Sequence, residues 1–188
     1  MQILGRHLLP PGISGLAALL ATVLGLGFLT PPLALSAPAA QDPATVVAAY
    51  VAAVNAGNAD GAAATFSENA TDVHAPARGS CSRQSPCIGR PAILADLRAR
   101  IALHDCFTIV EQTVQGSVVL SRVEVWNDDI RANGVDRIVN QWMTLVDQGR
   151  IAARYAVPDL SDPQTAANAA IGAGTQAPGA ALPISPCG

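Results

Sequence analysis

The sequence predicts an α+β domain in which helices come first and a curved antiparallel sheet then packs on them, leaving a cavity between the layers. Apolar residues recur at helical spacing between residues 42 and 104. From residue 107 the period changes to two, and the breaks between the later segments carry turn chemistry. The chain of 188 residues has room for one such domain, over 42–160, once its two ends are set aside.

The elements follow in order. "DPATVVAAYVAAVNAG" offers Asp42 as N-cap, Pro43 at the first helical position, an apolar stripe of Val46, Val47, Tyr50, Val51 and Val54, and Gly57 as a stop. A short second helix is capped by Asn58 and carries Ala62, Ala63 and Phe66; "ATDVHAP" then reads as a brief strand ended by Pro76. A third helix starts at Pro91. It places Ile93, Leu94, Leu97 and Ile101 on one stripe and Asp96, Arg98 and Arg100 on a polar one, ending near His104, whose imidazolium there complements the helix dipole. Alternating strands are expected over 107–115, 117–127, 137–147 and 150–157, separated by "QGS", "NDDIRANG" and "DQG".

The ends read differently. Residues 1–39 combine Arg6 and His7 with an apolar run from Ile13 to Leu29 and an A-x-A site at 37–39, the pattern of a cleaved secretory signal peptide; the rival is an uncleaved membrane anchor. Export implies a secreted or periplasmic location and suits the even cysteine count. Cys81, Cys87, Cys106 and Cys187 allow three pairings, with "CSRQSPC" able to close on itself and Cys106 left for Cys187. A metal site is disfavoured by the lack of a C-x-x-C pair, and no cofactor is expected. Residues 161–188 are Ala, Gly, Pro, Ser and Thr with almost no large apolar side chain, which predicts a mobile tail. Without Arg6, ten arginines and no lysine face fourteen acidic residues, so polyanion binding, and with it nucleic acid, has no electrostatic basis.

Candidate chemistry sits on the strands. In "SRVEVW" the alternation sets Arg122, Glu124 and Trp126 on one face and Val123 and Val125 on the other. The charged face is either a solvated exterior or a pocket wall with Trp126 as its aromatic part. Asp72 and His74 share a face of the early strand, and an imidazole with a reference pKa of about 6.5 exchanges protons at neutral pH. If both faces turn inward, His74 is the general base, Glu124 its partner and Arg122 the anchoring group. Asn140 and Trp142 share a face of the next strand and Tyr155 lies on the last, all candidates for ligand contact. "NDDIRANGVD" is expected as a solvated acidic loop, and the N-x-T at Asn69 as a chance match.

Three stretches, "TVVAAYVAAVNAGNADGAAATFSENATDVHAP", "CIGRPAILADLRARI" and "VDQGRIAARYAVPDL", together resemble the SnoaL-like, nuclear-transport-factor-2-like superfamily over residues 44–159. The resemblance implies a cone: three helices on a curved antiparallel sheet that encloses a pocket. Its nearest enzymatic pattern is the limonene-epoxide hydrolase type, whose Arg-x-Asp pair corresponds to Arg122 and Glu124 and whose early Tyr-x-Asn corresponds to Asp72 and His74. The last-strand carboxylate of that pattern is replaced by Ala156, so the catalytic set is incomplete. The ketosteroid isomerase pattern is no better matched, since Tyr50 and Tyr155 do not fall clearly at its positions. The resulting expectation is an exported protein that binds a small hydrophobic or amphipathic molecule, dimeric through its outer sheet face; the alternative is a cofactor-independent hydrolase or isomerase using His74, Glu124 and Arg122.

Overall fold

A computed structural model describes residues 41–74 and 81–183. In chain order it contains α1 (Pro43–Asn55), α2 (Ala59–Ala64), β1 (Phe66–His74), β2 (Cys87–Ile88), α3 (Arg90–Ile101), β3 (Cys106–Gln115), β4 (Val118–Trp126), α4 (Asp128–Ala132), β5 (Ile138–Asp147), β6 (Arg150–Pro158) and α5 (Pro163–Gly172). The strands form one six-stranded sheet in the order β2-β1-β6-β5-β4-β3. Only the β1–β6 pairing is parallel; β3 to β6 form the expected meander.

The α1 stripe is as the sequence predicts. The Asp42 carboxylate accepts from the Ala44 amide, and Val46, Val47, Tyr50, Val51 and Val54 are all buried. Tyr50 sits at the centre of an aromatic cluster, edge-on to Phe66 at 5.5 Å and to Trp142 at 5.9 Å, with Phe107 stacked at 6.2 Å. Thus α1 packs into the concave side of the sheet. The residues that alternate inward along the strands, including Val119, Val123 and Trp142, complete the core.

Cys81 and Cys87 are joined, so "CSRQSPC" closes on itself. Cys106 carries no free thiol, while Cys187 lies outside the described residues, as does the segment 1–39 read as a signal peptide. No helix among the described residues is long and apolar enough to cross a membrane.

Three expectations are corrected. Residues 163–172 are a helix rather than a mobile tail: Asp162 caps α5 through the Thr165 amide at 2.9 Å, Pro163 opens it, and Ile171 and Thr165 are buried. Composition misled here, because alanine-rich segments form good helices once a cap and one apolar anchor fix them. The acidic loop after β4 contains α4, capped by Asn127 and anchored by the buried Ile130. His104 stands beyond the end of α3 with φ 54° and pairs with Asp128 at 2.7 Å instead of capping the helix.

Candidate functional site

A cavity of about 450 Å³ lies between the concave side of the sheet, α3, α4 and α5. Three strands supply its wall. His74, Ala156 and Asn140 line it from β1, β6 and β5, and His74 is paired directly with Ala156. Two residues deeper on β1 and β6 stand Asp72 and Arg154, level with Thr144 of β5, while Trp142 is level with Ala156. The side chains next to the cavity are therefore backed by a second layer of polar groups.

That layer is a buried ion pair. Arg154 donates from Nε to Asp72 Oδ1 at 2.9 Å and from Nη2 to Oδ2 at 2.7 Å, with both residues almost wholly excluded from solvent. The guanidinium carbon lies 4.5 Å from the Tyr50 ring centroid and 4.8 Å from that of Trp142. Burial on its own would raise the Asp72 carboxyl, but the Arg154 charge and hydrogen bonds outweigh it and hold the group below the usual carboxylate range. The remaining Arg154 nitrogen, Nη1, has no hydrogen-bond partner among the described residues, nor do Tyr50 Oη, Trp142 Nε1 and Thr144 Oγ1. Thr144 pairs with Arg154 across the strands.

Above this layer His74 is one-fifth exposed. Its Nε2 lies 3.2 Å from Asp96 Oδ2, 3.2 Å from Arg100 Nη1 and 3.6 Å from Asp72 Oδ2. Arg100 in turn donates from Nε to Asp105 at 2.6 Å, and Asn127 holds the other Asp105 oxygen at 2.8 Å. Burial first, then the Arg100 charge, pushes the imidazole pKa below its ordinary value, against the opposing pull of Asp96 and Asp72. The ring is thus neutral at pH 7. When its Nε2 lone pair is free it accepts from Arg100; when Nε2 carries the proton it donates to Asp96. The arrangement can exchange a proton with a molecule in the cavity.

Asp72, His74, Cys81 and Asp96 bring ligand-type atoms within 4.8 Å of one another. The set suits a cation poorly: the Cys81 sulfur is in the disulfide, both Asp72 oxygens are held by Arg154, and Arg100 adds positive charge beside the imidazole.

The sequence-predicted site residues separate into two groups. His74, Asp72 and Asn140 come together on the inner side, and Trp142 is there too, though in the core beneath the cavity at 2% exposure. Arg122, Glu124 and Trp126 do not join them. Val123 and Val125 of β4 point inward, with Val125 lining the cavity, so the alternation sends the charged face outward. There Glu124 pairs with Arg137 at 2.9 Å and Arg122 with Asp159 at 3.4 Å, both partly exposed. Tyr155 is likewise on the outer face at 40% exposure. The expectation that Glu124 and Arg122 assist His74 is therefore corrected: the more apolar face of β4 is the core side. Glu124→Gln should leave folding and cavity binding unchanged within about 1 kcal/mol in urea denaturation and titration, as expected of a surface pair.

Sequence reasoning missed Asp96, Arg100, Asp105 and Arg154. Asp96 and Arg100 were read as the solvent side of α3, yet Asp96 is buried and both line the cavity. The one available signal was their spacing: positions 96 and 100 flank the Ile93–Leu97 stripe on the turn that faces His74.

No family model matches the chain, and no curated protein is similar to it. Solved structures do share its architecture. An NTF2-like protein of unknown function from Cytophaga hutchinsonii is 15% identical, with 64% of this chain and 92% of that one covered at a TM-score of 0.50. The epoxide hydrolase/cyclase-like enzyme SalBIII, of pyran ring formation in the polyether salinomycin, is 18% identical over 64% of this chain and 92% of its own, at 0.51. A cystatin-fold protein from Novosphingobium aromaticivorans is 17% identical over 61% and 97%, at 0.50. The described domain is an α+β cone with a cavity lined by both polar and apolar side chains. Its fold is the one shared by these NTF2-like, epoxide hydrolase/cyclase-like and cystatin-fold structures.

Proposed function

We propose that the protein binds a small amphipathic molecule in this cavity. The supporting observation is the two-sided lining. His74, Asp96, Arg100 and Asn140 offer polar contacts, and Leu103, Val125, Ile138 and Ala156 offer apolar ones. A volume of about 450 Å³ suits a compact ligand. Polar side chains share the wall with apolar ones, so a ligand with a hydrogen-bonding end fits better than a pure hydrocarbon. Export by a leader within residues 1–39 is part of the reading and agrees with the Cys81–Cys87 disulfide.

The test is fluorescence titration with N-phenyl-1-naphthylamine, a neutral amphipathic probe. Saturable enhancement is expected, and Ala156→Leu, which pushes a larger side chain into the wall, should weaken it by roughly tenfold or more. Equal affinity in the two proteins, or no saturable signal, refutes the reading.

A second reading is acid–base chemistry, favoured by one observation: a neutral His74 lines the cavity with the Arg100 guanidinium 3.2 Å from its Nε2. A base beside a cation that can stabilise an enolate oxygen is an arrangement for proton transfer next to a carbonyl. His74 would remove a proton from the carbon beside the carbonyl and return it to the γ carbon. Conversion of 3-cyclohexenone to its conjugated isomer, followed by ultraviolet absorbance, tests this: activity above buffer that is lost in His74→Gln supports it, and none in wild type refutes it.

A homodimer through the outer sheet face belongs to the same reading. Leu120, Met143 and Tyr155 are adjacent across β4, β5 and β6 and exposed, with the Arg122–Asp159 and Glu124–Arg137 pairs on the same face. Met143→Arg should then yield a folded monomer in sedimentation, and an unchanged sedimentation coefficient speaks against this face.

A further inference from the structure

The elements that close the cavity differ in how they are fastened. The strand side is held by the aromatic cluster and the buried ion pair. The α5 side contributes Asn168, Ala169 and Gly172 to the lining, yet Ile171 is the one large apolar side chain of that helix. Beside Ile171 the helix packs through small side chains and is fastened by several polar contacts. Its N-terminal end is pinned: the Val139 amide donates to Thr165 Oγ1 at 2.7 Å, the Asp136 amide to Gln164 Oε1 at 3.0 Å, and Arg137 to Asp162 at 3.1 Å.

The middle of the helix and the strap that follows it rest on a seam with the α4 turn. Asn133 Nδ2 donates to Asn168 Oδ1 at 3.0 Å, the Gly179 amide to the Asn133 carbonyl at 2.9 Å, and the Leu182 amide to the Arg131 carbonyl at 2.9 Å. The strap at 175–183 is exposed and packs so close to Gly134 that an added Cβ there would lie 2.7 Å from Gly179 Cα. A few partly exposed hydrogen bonds, each of modest net strength, hold a helix with one large buried apolar side chain. Such a segment opens at lower free energy than the core beside it.

We infer that α5 is the gate of the cavity: it pivots at its pinned N-terminal end, and parting of the Asn133–Asn168 seam admits and releases the ligand. This rests on the cavity-binding reading above. The gate sets the rate of exchange, and the fixed strand wall sets most of the affinity.

The experiment has two arms on the full, oxidised chain. Hydrogen exchange without ligand should show amides of 166–172 exchanging at least about tenfold faster than those of β5. In the second arm, Asn133→Cys and Asn168→Cys together are bridged by a short bis-thiosulfonate reagent. Stopped-flow mixing with N-phenyl-1-naphthylamine should then show association and release both slowed by about tenfold or more, a larger change than any in the equilibrium affinity, and Asn168→Ala should speed both. Protection of α5 equal to that of β5, or unaltered rates in the bridged protein, overturns the gate while leaving cavity binding intact. If the probe fails to bind even the unbridged protein, the cavity reading falls and the gate loses its role with it.

Discussion

Arg154→Met should destabilise the domain by about 3–5 kcal/mol, the largest loss expected of a single substitution here, because it strands the Asp72 carboxylate in a buried site. The change should be read in urea denaturation across pH. In the wild type the Asp72 pKa is lowered on folding, so its contribution is complete above the unfolded carboxylate value of about 3.9 and is lost as pH falls through the lower folded value. Without Arg154 the dominant influence left is burial, which raises the pKa. The sign then reverses: the folded state binds the extra proton, and stability declines as pH rises above about 4. The variant should therefore be relatively more stable at pH 4.5 than at pH 7. Adding Asp72→Asn should recover much of the loss, because the amide carries no charge to desolvate. Equal stability of wild type and Arg154→Met at pH 7 would contradict a buried pair.

Trp142→Ala should cost about 3–5 kcal/mol, whereas Trp126→Ala should cost distinctly less, because the first removes a fully enclosed ring and the second a partly exposed one. Trp142 is edge-on to Phe107 at 5.1 Å and touches Tyr50 and Arg154 besides. Its loss opens a void under the cavity floor that the ion pair cannot collapse into. Denaturant midpoints at constant slope distinguish the two; equal costs would mean that β4 and β5 turn their faces the other way.

The contrast between these tryptophans marks how far the sequence could be read. Helical spacing and the Asp42 and Asn58 caps specified α1 and α2, and alternation specified the meander, because local backbone preference and burial agree there. The inward face of β4 was open, since an apolar side and a charged side with a tryptophan each make a credible wall. Val123 and Val125 take the core, as the greater apolar area dictates. The Asp72–Arg154 pair joins residues 82 positions apart and depends on the parallel β1–β6 register, which no local pattern encodes. His74 was visible as a titratable side chain two residues from Asp72. Its true neighbours, Asp96 and Arg100, were hidden by a helical period that marks them as solvent-facing. The α5 helix escaped notice because small residues signal neither core nor surface.

The account turns on which side of the sheet receives a ligand. Nuclear magnetic resonance titration of the isotope-labelled protein with N-phenyl-1-naphthylamine tests that directly. Saturable shifts of the His74 imidazole and of the Asn140 and Asn168 side-chain amides are expected, with the side-chain signals of Arg122, Glu124 and Tyr155 unmoved. Shifts confined to the outer residues, or none at saturating probe, would contradict it.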